Sequence, residues 1–221
     1  MSIKGSQVRS VLLLSGGLDS TVNAYKAAKE SDVALAITFN YGQRAAIQET
    51  IHAQKTCSAL GIGHQVITLE WMRSITTTSL VNTDFSIPEE MDLDDPEITN
   101  DTAKKVWVPN RNGVFINIAA AYAESLGAKQ IVVGFNLEEA ATFPDNSKAF
   151  LEASDHALSF STANQAQVVC YTTDLNKTEI VKLGRELNVN FDNVWSCYYG
   201  EDQPCGKCES CRRFARAKGE F

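Results

Sequence analysis

The sequence predicts an α/β fold: an open parallel sheet with helices on both faces, followed by a small C-terminal metal-binding module. Two observations carry this prediction. Apolar strand-like segments alternate with helix-like segments up to residue 187, which is typical of a parallel sheet covered by helices. After residue 196 the chain changes to cysteine, glycine and basic residues. We therefore expect residues 1–190 to form the sheet domain and residues 191–221 to form the cysteine module.

The predicted strands are short apolar runs of the kind that parallel sheets bury. They are Val8–Leu14, Val33–Phe39, Gln65–Leu69, Gln130–Gly134 and Gln167–Tyr171. The predicted helices carry apolar residues at helical spacing. They are Asp19–Lys29, Arg44–Leu60 (closed by Gly61), Asn112–Leu126, Ser147–Ser161 and Thr178–Leu187. Residues 71–107 are polar and acidic without clear periodicity, so we expect an insertion that is a functional lid or a disordered loop.

Composition narrows the function classes. The formal net charge of −7 disfavours a protein whose main task is to bind nucleic acid, because phosphate neutralisation needs a basic surface. No apolar stretch is long enough for a signal peptide or a membrane span, so we expect a cytoplasmic protein without a membrane partner. In that compartment the six cysteines are reduced, and a cluster of them indicates a metal site or catalysis rather than disulfides.

The string VLLLSGGLDST, residues 11–21, ends a predicted strand on Ser15–Gly17 and continues directly into a helix. Open parallel sheets bind ligands at the carboxyl ends of their strands, and glycines let backbone amides approach an anion at a helix N-terminus. The hydroxyls of Ser15, Ser20 and Thr21 can donate to phosphate oxygens, and Asp19 could hold Mg²⁺ or cap the helix. The alternative is an ordinary strand–helix turn. The full string favours a phosphate site.

The string CYYGEDQPCGKCESC spaces its cysteines as C-x7-C-x2-C-x2-C. Two residues between cysteines allow both thiolates to reach one ion, and four sulfurs complete a closed tetrahedral zinc site, so we expect one structural Zn²⁺ per chain. The predicted ligands are Cys197, Cys205, Cys208 and Cys211. An iron–sulfur cluster is the alternative, because the same spacing opens the bacterial ferredoxin pattern. Here no further Cys-Pro pair follows, which favours zinc.

Strings spread over most of the chain carry a resemblance to a known family. They are LSGGLDST at 14–21, TFNYGQR at 38–44, VPNRN at 108–112, TFPDNS at 142–147, DLNKTEI at 174–180 and the tail introduced by WSCY. With them the chain resembles the 7-cyano-7-deazaguanine synthase family of the PP-loop ATPases. The resemblance implies an adenine-nucleotide-hydrolase-like sheet and a ligase that converts 7-carboxy-7-deazaguanine and ammonia, with Mg-ATP, through the amide to the nitrile. It further implies queuosine or archaeosine biosynthesis, small-molecule partners, no direct nucleic acid and a homodimer.

The resemblance also assigns roles to residues. The implied catalytic residues are Ser15, Asp19, Ser20 and Lys177. The implied ATP-binding residues are Leu14, Ser15, Gly16, Gly17, Leu18, Asp19, Ser20, Thr21 and Arg44. The implied substrate-binding residues are Arg111, Phe143 and Asp145.

Two of these assignments, those of Asp145 and Arg44, have an ordinary structural alternative. Asp145 could accept two N–H donors of a deazaguanine, or it could be a turn residue after proline. Lys177 opens a helix, where the dipole disfavours a cation, so it is expected to pair with an anion such as phosphate. Arg44 could reach ATP or the substrate carboxylate, or be a solvated residue at a helix start. Arg111 precedes an apolar helix, which favours a buried polar role, and Phe143 could stack on the substrate ring.

The chain departs from the pattern of this family in three places. Pro109–Asn112 reads P-N-R-N where P-G-R-N is common, and Ala141–Ser147 replaces a string of the form S-G-Y-P-D-C-R. Glu138 and Glu139 stand where a shorter polar pair is usual. The alternatives that remain are a PP-loop enzyme that thiolates tRNA or joins a deazaguanine to another amine, and a non-enzymatic zinc-ribbon interaction protein.

Overall fold

Five short strands form one parallel sheet in the computed structural model, which describes residues 7–89, 93 and 95–220, with the backbone alone for residues 96–100. The strands are β1 Arg9–Leu13, β2 Asp32–Asn40, β3 His64–Thr68, β4 Gln130–Val132 and β5 Gln167–Val169. Their order across the sheet is β3-β2-β1-β4-β5, and every neighbouring pair is parallel. The predicted open parallel sheet is therefore confirmed.

The helices of the described chain alternate with these strands. They are α1 Leu18–Glu30, α2 Ala46–Leu60, α3 Glu70–Ile75, α4 Pro96–Val106, α5 Arg111–Ser125, α6 Leu137–Ala140, α7 Lys148–Ser161, α8 Lys177–Glu186 and α9 Glu209–Lys218. None of the described helices combines the length and the apolar character that crossing a bilayer needs.

Helices cover both faces of the sheet, as the sequence predicts. Successive strand residues point to opposite faces, so Val11 packs into one core cluster and its neighbour Leu12 into another. The cluster around Val11 includes residues of α5 and α7, for example Ile116. The cluster around Leu12 includes residues of α1 and α2, for example Ala53 and Cys57. All of these side chains are almost completely buried.

Local signals in the sequence fix several helix ends. Gly61 closes α2 with φ +68, the left-handed conformation that glycine adopts without strain, as predicted. Asn176 begins α8 with a capping box: its side chain accepts from the Glu179 backbone N–H, and the Glu179 side chain accepts from the Asn176 N–H. These bonds set the start of α8, and with it the place of Lys177.

Two helices, α3 and α4, occur where the sequence predicted no regular structure, so that part of the prediction is wrong. The segment between them is anchored by Leu80 and Ile87, which are both buried in core clusters. Its acidic run includes residues 90–92 and 94, which lie outside the described residues. The role of residues 71–107 as a lid stays a prediction.

The cysteine module packs against the sheet domain through α9, a helix that the sequence did not predict. Phe214 and Ala217 of α9 join Val22 of α1 and Ile180 of α8 in one apolar cluster. In addition, the backbone N–H of Trp195 donates to the carbonyl of Gly16 at 2.8 Å. The module is therefore held against the first strand–helix turn. The boundary at residue 190 stays a prediction.

Candidate active site

A cavity of about 260 Å³ lies at the carboxyl ends of β1, β2 and β4. Its lining includes Leu14 after β1, Phe39 in β2 and Gly134 after β4. The chain proceeds from β1 to β2 and β3 on one side and later places β4 and β5 on the other side. Open α/β sheets bind their ligands at such a topological switch point. This cavity is therefore the candidate active site.

The glycine loop, residues 14–17, forms one wall of the cavity and leads into α1. Gly16 has φ +76, and a Cβ there would lie 2.7 Å from the carbonyl oxygen of Glu49, so the loop requires glycine at this position. The N-cap of α1 is Gly17, and no side chain caps the helix. The capping alternative for Asp19 is therefore wrong. The amides of the first turn have no side-chain acceptor and can bind an anion.

Two hydroxyls of this wall meet in the cavity. The Oγ atoms of Ser15 and Ser20 are 3.0 Å apart, and the Ser15 N–H donates to Ser20 Oγ at 3.2 Å. Both residues line the cavity together with Gly17, Leu18 and Asp19. Gly16 of the loop and Thr21 of α1 do not contribute to the lining. Thr21 is instead fully buried.

Lys177 crosses from the start of α8 to the start of α1. Its Nζ donates to Asp19 Oδ2 at 2.5 Å and to Glu139 Oε1 at 2.7 Å, and its side chain is 11% exposed. The expected anionic partner of Lys177 is thus present as two carboxylates of this chain rather than as a phosphate. Asn136 Nδ2 also donates to Asp19 Oδ2, whereas the buried Oδ1 of Asp19 has no hydrogen-bond partner among the described residues. Asp19 therefore keeps one oxygen available to a ligand.

Burial and the neighbouring charges shift the pKa values of Asp19, Glu139 and Lys177 in opposite directions. Burial raises the pKa of Asp19, although the Lys177 ammonium works against it. Burial acts on Glu139 in the same direction, but the charge of Lys177 together with the hydrogen bonds from Lys177 and Asn136 leaves the pKa of Glu139 below its usual range. Burial alone would lower the pKa of Lys177, yet the two carboxylates raise it above its ordinary value. Lys177 is therefore a permanent cation.

A second ion pair connects this group to the cysteine module. Glu138 Oε1 accepts from the backbone N–H of Lys177 at 2.8 Å, and Glu138 Oε2 accepts from Arg213 of α9 at 3.0 Å. Arg213 also binds Glu209 at 2.9 Å. Glu138 thus binds the backbone N–H of Lys177, and Glu139 binds its ammonium group. In the sequence these two residues stood out only as a departure from the family pattern.

The opposite wall carries the residues predicted to bind the substrate. Arg111 and Phe143 both line the cavity, Arg111 donating to the Tyr41 hydroxyl at 3.1 Å. Phe143 stacks on Trp107 with ring centroids 6.2 Å apart and planes 5° from parallel. The cavity lining includes Asn146 but not Asp145, whose Oδ1 accepts from the Asn146 side chain at 3.1 Å. Of the three residues predicted to bind the substrate, Arg111 and Phe143 therefore line the cavity. Asp145 does not, and its neighbour Asn146 lies at the wall instead.

Arg44 does not line the cavity. Its guanidinium donates to the carbonyl oxygens of Asn82 at 2.8 Å and Phe85 at 2.5 Å, and it lies over the ring of Tyr199. These contacts hold the segment between α3 and α4 against the cysteine module. An ATP contact for Arg44 stays a prediction without support from this geometry.

The predicted metal ligands converge. The Sγ atoms of Cys197, Cys205, Cys208 and Cys211 all lie within 4.8 Å of one another, and none of these cysteines is in a disulfide. The Cys205 and Cys211 sulfurs are 3.9 Å apart, close to the roughly 3.8 Å edge of a tetrahedron with Zn–S bonds of about 2.3 Å. Backbone N–H groups donate to these sulfurs, for example from Tyr199 to Cys197 and from Cys208 to Cys205. These bonds stabilise thiolates, so the donor set fits a four-coordinate zinc ion.

Sequence reasoning missed the contribution of the cysteine module to the cavity. Cavity-lining residues from this module include Trp195, Ser196, Tyr198, Glu209 and Arg213. The WSCY string was the signal for Trp195, Ser196 and Tyr198, but a string alone does not show which residues it will contact. Glu49, in the first turn of α2, also lines the cavity and was not singled out.

The family of this chain is shown by its similarity to known proteins. The sequence model of the family described as "Queuosine biosynthesis protein QueC" matches residues 9–220. A 7-cyano-7-deazaguanine synthase from Carboxydothermus hydrogenoformans is 53% identical, covering 96% of this chain and 98% of the relative. One from Bdellovibrio bacteriovorus is 51% identical and covers 94% and 91%. The solved structure of NMN synthetase from Francisella tularensis has a TM-score of 0.49 at 16% identity, covering 98% of this chain and 79% of that chain. By the family match and these relatives, the chain belongs to the family of the queuosine biosynthesis protein QueC.

Proposed function

We propose that this protein is an ATP-dependent carbon–nitrogen ligase that converts 7-carboxy-7-deazaguanine and ammonia into 7-cyano-7-deazaguanine. The observation that carries the proposal is the cavity that the glycine loop shares with Arg111 and Phe143. An anion site of this kind suits a triphosphate, and a guanidinium beside an aromatic ring suits a flat carboxylate-bearing base. Relatives about half identical over nearly the whole chain bear the name of this activity.

The chemistry requires two activations. A carboxylate loses one oxygen to become an amide, and the amide loses the second oxygen to become a nitrile. Neither oxygen leaves as hydroxide or oxide at a useful rate, so each must first be joined to a phosphoryl or adenylyl group of ATP. We therefore expect two ATP molecules to be consumed for each nitrile formed.

On the ATP side, Ser15, Ser20 and the first-turn amides of α1 would bind the phosphate oxygens. The free Oδ1 of Asp19 is the oxygen ligand that Mg²⁺ on ATP would meet. Lys177 is held next to Asp19 and would stabilise the charge that develops on the leaving phosphate. These groups already stand at the cavity in the free protein, so they would need to move little when the charge on the phosphate develops.

On the substrate side, Arg111 would orient the carboxylate toward the glycine loop. Phe143 would stack on the base, with Trp107 behind it. Asn146 and Asp145 follow on the same turn and would accept N–H donors from the pyrimidinone edge of the base. At the position of the cysteine in the family string this chain has Asn146, and its amide would be the group that meets the base at the cavity wall.

The four cysteines would hold one Zn²⁺ per chain. Four thiolates leave no open coordination position, so the metal would supply folding energy to the module and not a reactive water. This role matters for the reaction because the same module supplies Trp195 and Arg213 to the cavity. The homodimer and the cytoplasmic location remain predictions from the sequence.

Mass spectrometry of one incubation tests the proposal. Wild-type protein is mixed with 7-carboxy-7-deazaguanine, ammonia and Mg-ATP, and the nitrile is expected with amide as an intermediate. Ser15→Ala is expected to abolish turnover while the melting temperature stays close to wild type, because the hydroxyl acts on phosphate. Ser58→Ala, on the exposed side of α2, is the matched control and should remain active. A wild-type protein that consumes no ATP with this substrate would contradict the proposal.

A further inference from the structure

The conversion of an amide into a nitrile removes two N–H protons, and the residues assigned so far do not accept them. Ser15, Ser20 and Lys177 act on phosphate, and Arg111 is a permanent cation because Tyr41 and nearby carboxylates raise its pKa although burial opposes them. A proton acceptor has to lie near the substrate nitrogen, between the ATP site and the base. The cavity therefore needs a carboxylate that is not committed to an ion pair.

The described part of the cavity lining offers four carboxylates, and three of them are paired. Asp19 and Glu139 both bind Lys177, and Glu209 binds Arg213. Glu49 makes no ion pair among the described residues. Its Oε2 accepts from the Gln43 side chain at 2.7 Å, and its Oε1 has no partner there.

Glu49 lies where the proton acceptor is needed, between the ATP site and the base. Glu49 lies in the first turn of α2, and its backbone carbonyl is packed so closely on Gly16 that a Cβ on Gly16 would clash with it. Its side chain lies within the electrostatic reach of Arg111, on the opposite wall. Glu49 therefore stands between the loop assigned to ATP and the residue assigned to the substrate carboxylate.

The surroundings of Glu49 also favour proton uptake. Burial raises the pKa of Glu49, while the hydrogen bond from Gln43 and the charge of Arg111 work in the other direction. The other titratable groups nearby are Tyr41, from the loop after β2, and His52, one turn further along α2. A carboxylate with a raised pKa is a better proton acceptor than a solvated one.

We propose that Glu49 is the general base of the nitrile-forming step, an inference that rests on the proposed function. The amide oxygen first attacks ATP, which transfers a phosphoryl or adenylyl group X and releases ADP or pyrophosphate. The first N–H proton passes to solvent, and the imidate C(OX)=NH remains. Glu49 Oε1 then takes the remaining N–H proton, and the N–H electron pair becomes the third carbon–nitrogen bond. The C–O bond breaks, and its electron pair leaves with the OX group.

The test starts from the amide, so that ammonia is not required. Nitrile formation from 7-carboxamido-7-deazaguanine and Mg-ATP is measured for wild type, Glu49→Gln and the control Glu152→Gln, which lies on the exposed side of α7. Glu49→Gln is expected to lower kcat by about 100-fold or more, with the KM for ATP within about threefold, because general bases contribute that much. The control is expected to match wild type.

Two further readouts separate a base from a structural residue. The wild-type kcat should rise with pH as Glu49 loses its proton, and Glu49→Gln should lack this acidic limb. In Glu49→Ala, added formate should restore part of the lost rate, because a small carboxylate can occupy the vacated space. Glu49→Gln with wild-type kcat, or with an unchanged acidic limb, would overturn the proposal. A wild type that forms no nitrile would instead contradict the proposed function itself.

Discussion

Asn110 occupies a left-handed backbone position, with φ +50, at the N-cap of α5. The family pattern commonly has glycine here, and asparagine is among the few other residues that adopt this conformation at low cost. The departure P-N-R-N is therefore conservative in physical terms. It keeps the turn that presents Arg111 to the cavity.

This interpretation predicts effects of different size for two small substitutions. Asn110→Ala should lower the free energy of unfolding by about 1 kcal/mol, because alanine is strained at positive φ. Asn110→Gly is the matched control and should change it by less than about 0.5 kcal/mol. Urea unfolding monitored by circular dichroism measures both. Equal loss in the two variants would show that the Asn110 side chain, and not its backbone, matters.

Asp145 allows a prediction about substrate recognition. If its carboxylate accepts N–H donors of the base, Asp145→Asn should raise the KM for 7-carboxy-7-deazaguanine by about 30-fold, equivalent to about 2 kcal/mol for a charged hydrogen bond. The KM for ATP should stay near wild type. Asp174→Asn, at an exposed position, serves as control. An equal rise in both KM values would make Asp145 structural, as its place behind Asn146 also allows.

At the scale of elements, α9 is tied to α6 and α8 by Arg213. This side chain is 13% exposed and pairs with Glu138 and Glu209, and Glu138 in turn binds the backbone of Lys177. The cysteine module is thus linked by hydrogen bonds to a residue assigned to phosphate chemistry. The link explains why an element remote in the sequence contributes to the site.

Removal of this link should impair ATP use without loss of metal. Arg213→Gln leaves the buried Glu209 without its cation and Glu138 with only the longer contact to Arg216 at 3.6 Å. We therefore expect the free energy of unfolding to fall by about 2 kcal/mol or more. The KM for ATP should rise while the zinc content remains at one per chain. Lys182→Gln, on the exposed face of α8, is the control. Unchanged stability and unchanged ATP kinetics in Arg213→Gln would show that the pair has no positioning role.

The elements show what sequence patterns can and cannot predict. The strands and the helices α1, α2, α5 and α7 were predictable because they bury apolar residues in the two clusters on either side of the sheet. Helix α8 was predictable because its apolar face packs against α1. Helix α9 was not, since its fold depends on tertiary contacts such as Phe214 against Phe191. Likewise, α6 was not predictable, because its four residues are too few to show a helical period of apolar residues.

The same limit applies to the site. Local strings identified the glycine loop, Arg111 and the cysteines, because each needs a special residue type in a fixed spacing. Pairings between distant segments, such as Lys177 with Asp19 and Glu139, have no local pattern. They depend on how α1, α6 and α8 converge at the end of the sheet.

At the scale of the whole molecule, the cysteine module is one wall of the cavity. Metal loss should therefore unfold residues near 195–215 and lower activity through the loss of that wall. Cys205→Ser or Cys208→Ser should give one zinc fewer per chain and a lower melting temperature, whereas Cys170→Ser should keep the metal. Because thiolates bind the ion, its affinity should fall as the pH is lowered.

Elemental analysis and a labile-sulfide assay check this prediction. Zinc without sulfide supports the structural site, and iron with sulfide would favour the cluster alternative. A zinc-free Cys205→Ser variant with full stability and no turnover would mean that the metal is catalytic. The closed four-thiolate site argues for the first outcome.

The central claim is that ATP bound at the glycine loop activates both oxygens of a carboxylate held in the same cavity. The most direct measurement uses substrate labelled with ¹⁸O in both carboxylate oxygens, with ¹⁵N-ammonia and Mg-ATP, and follows the label by mass spectrometry. The account predicts a ¹⁵N nitrile, two ATP consumed, and both ¹⁸O atoms in AMP or phosphate, with no labelled product from Ser15→Ala. A nitrile whose lost oxygens appear in water, with unlabelled nucleotide and phosphate products, would contradict it.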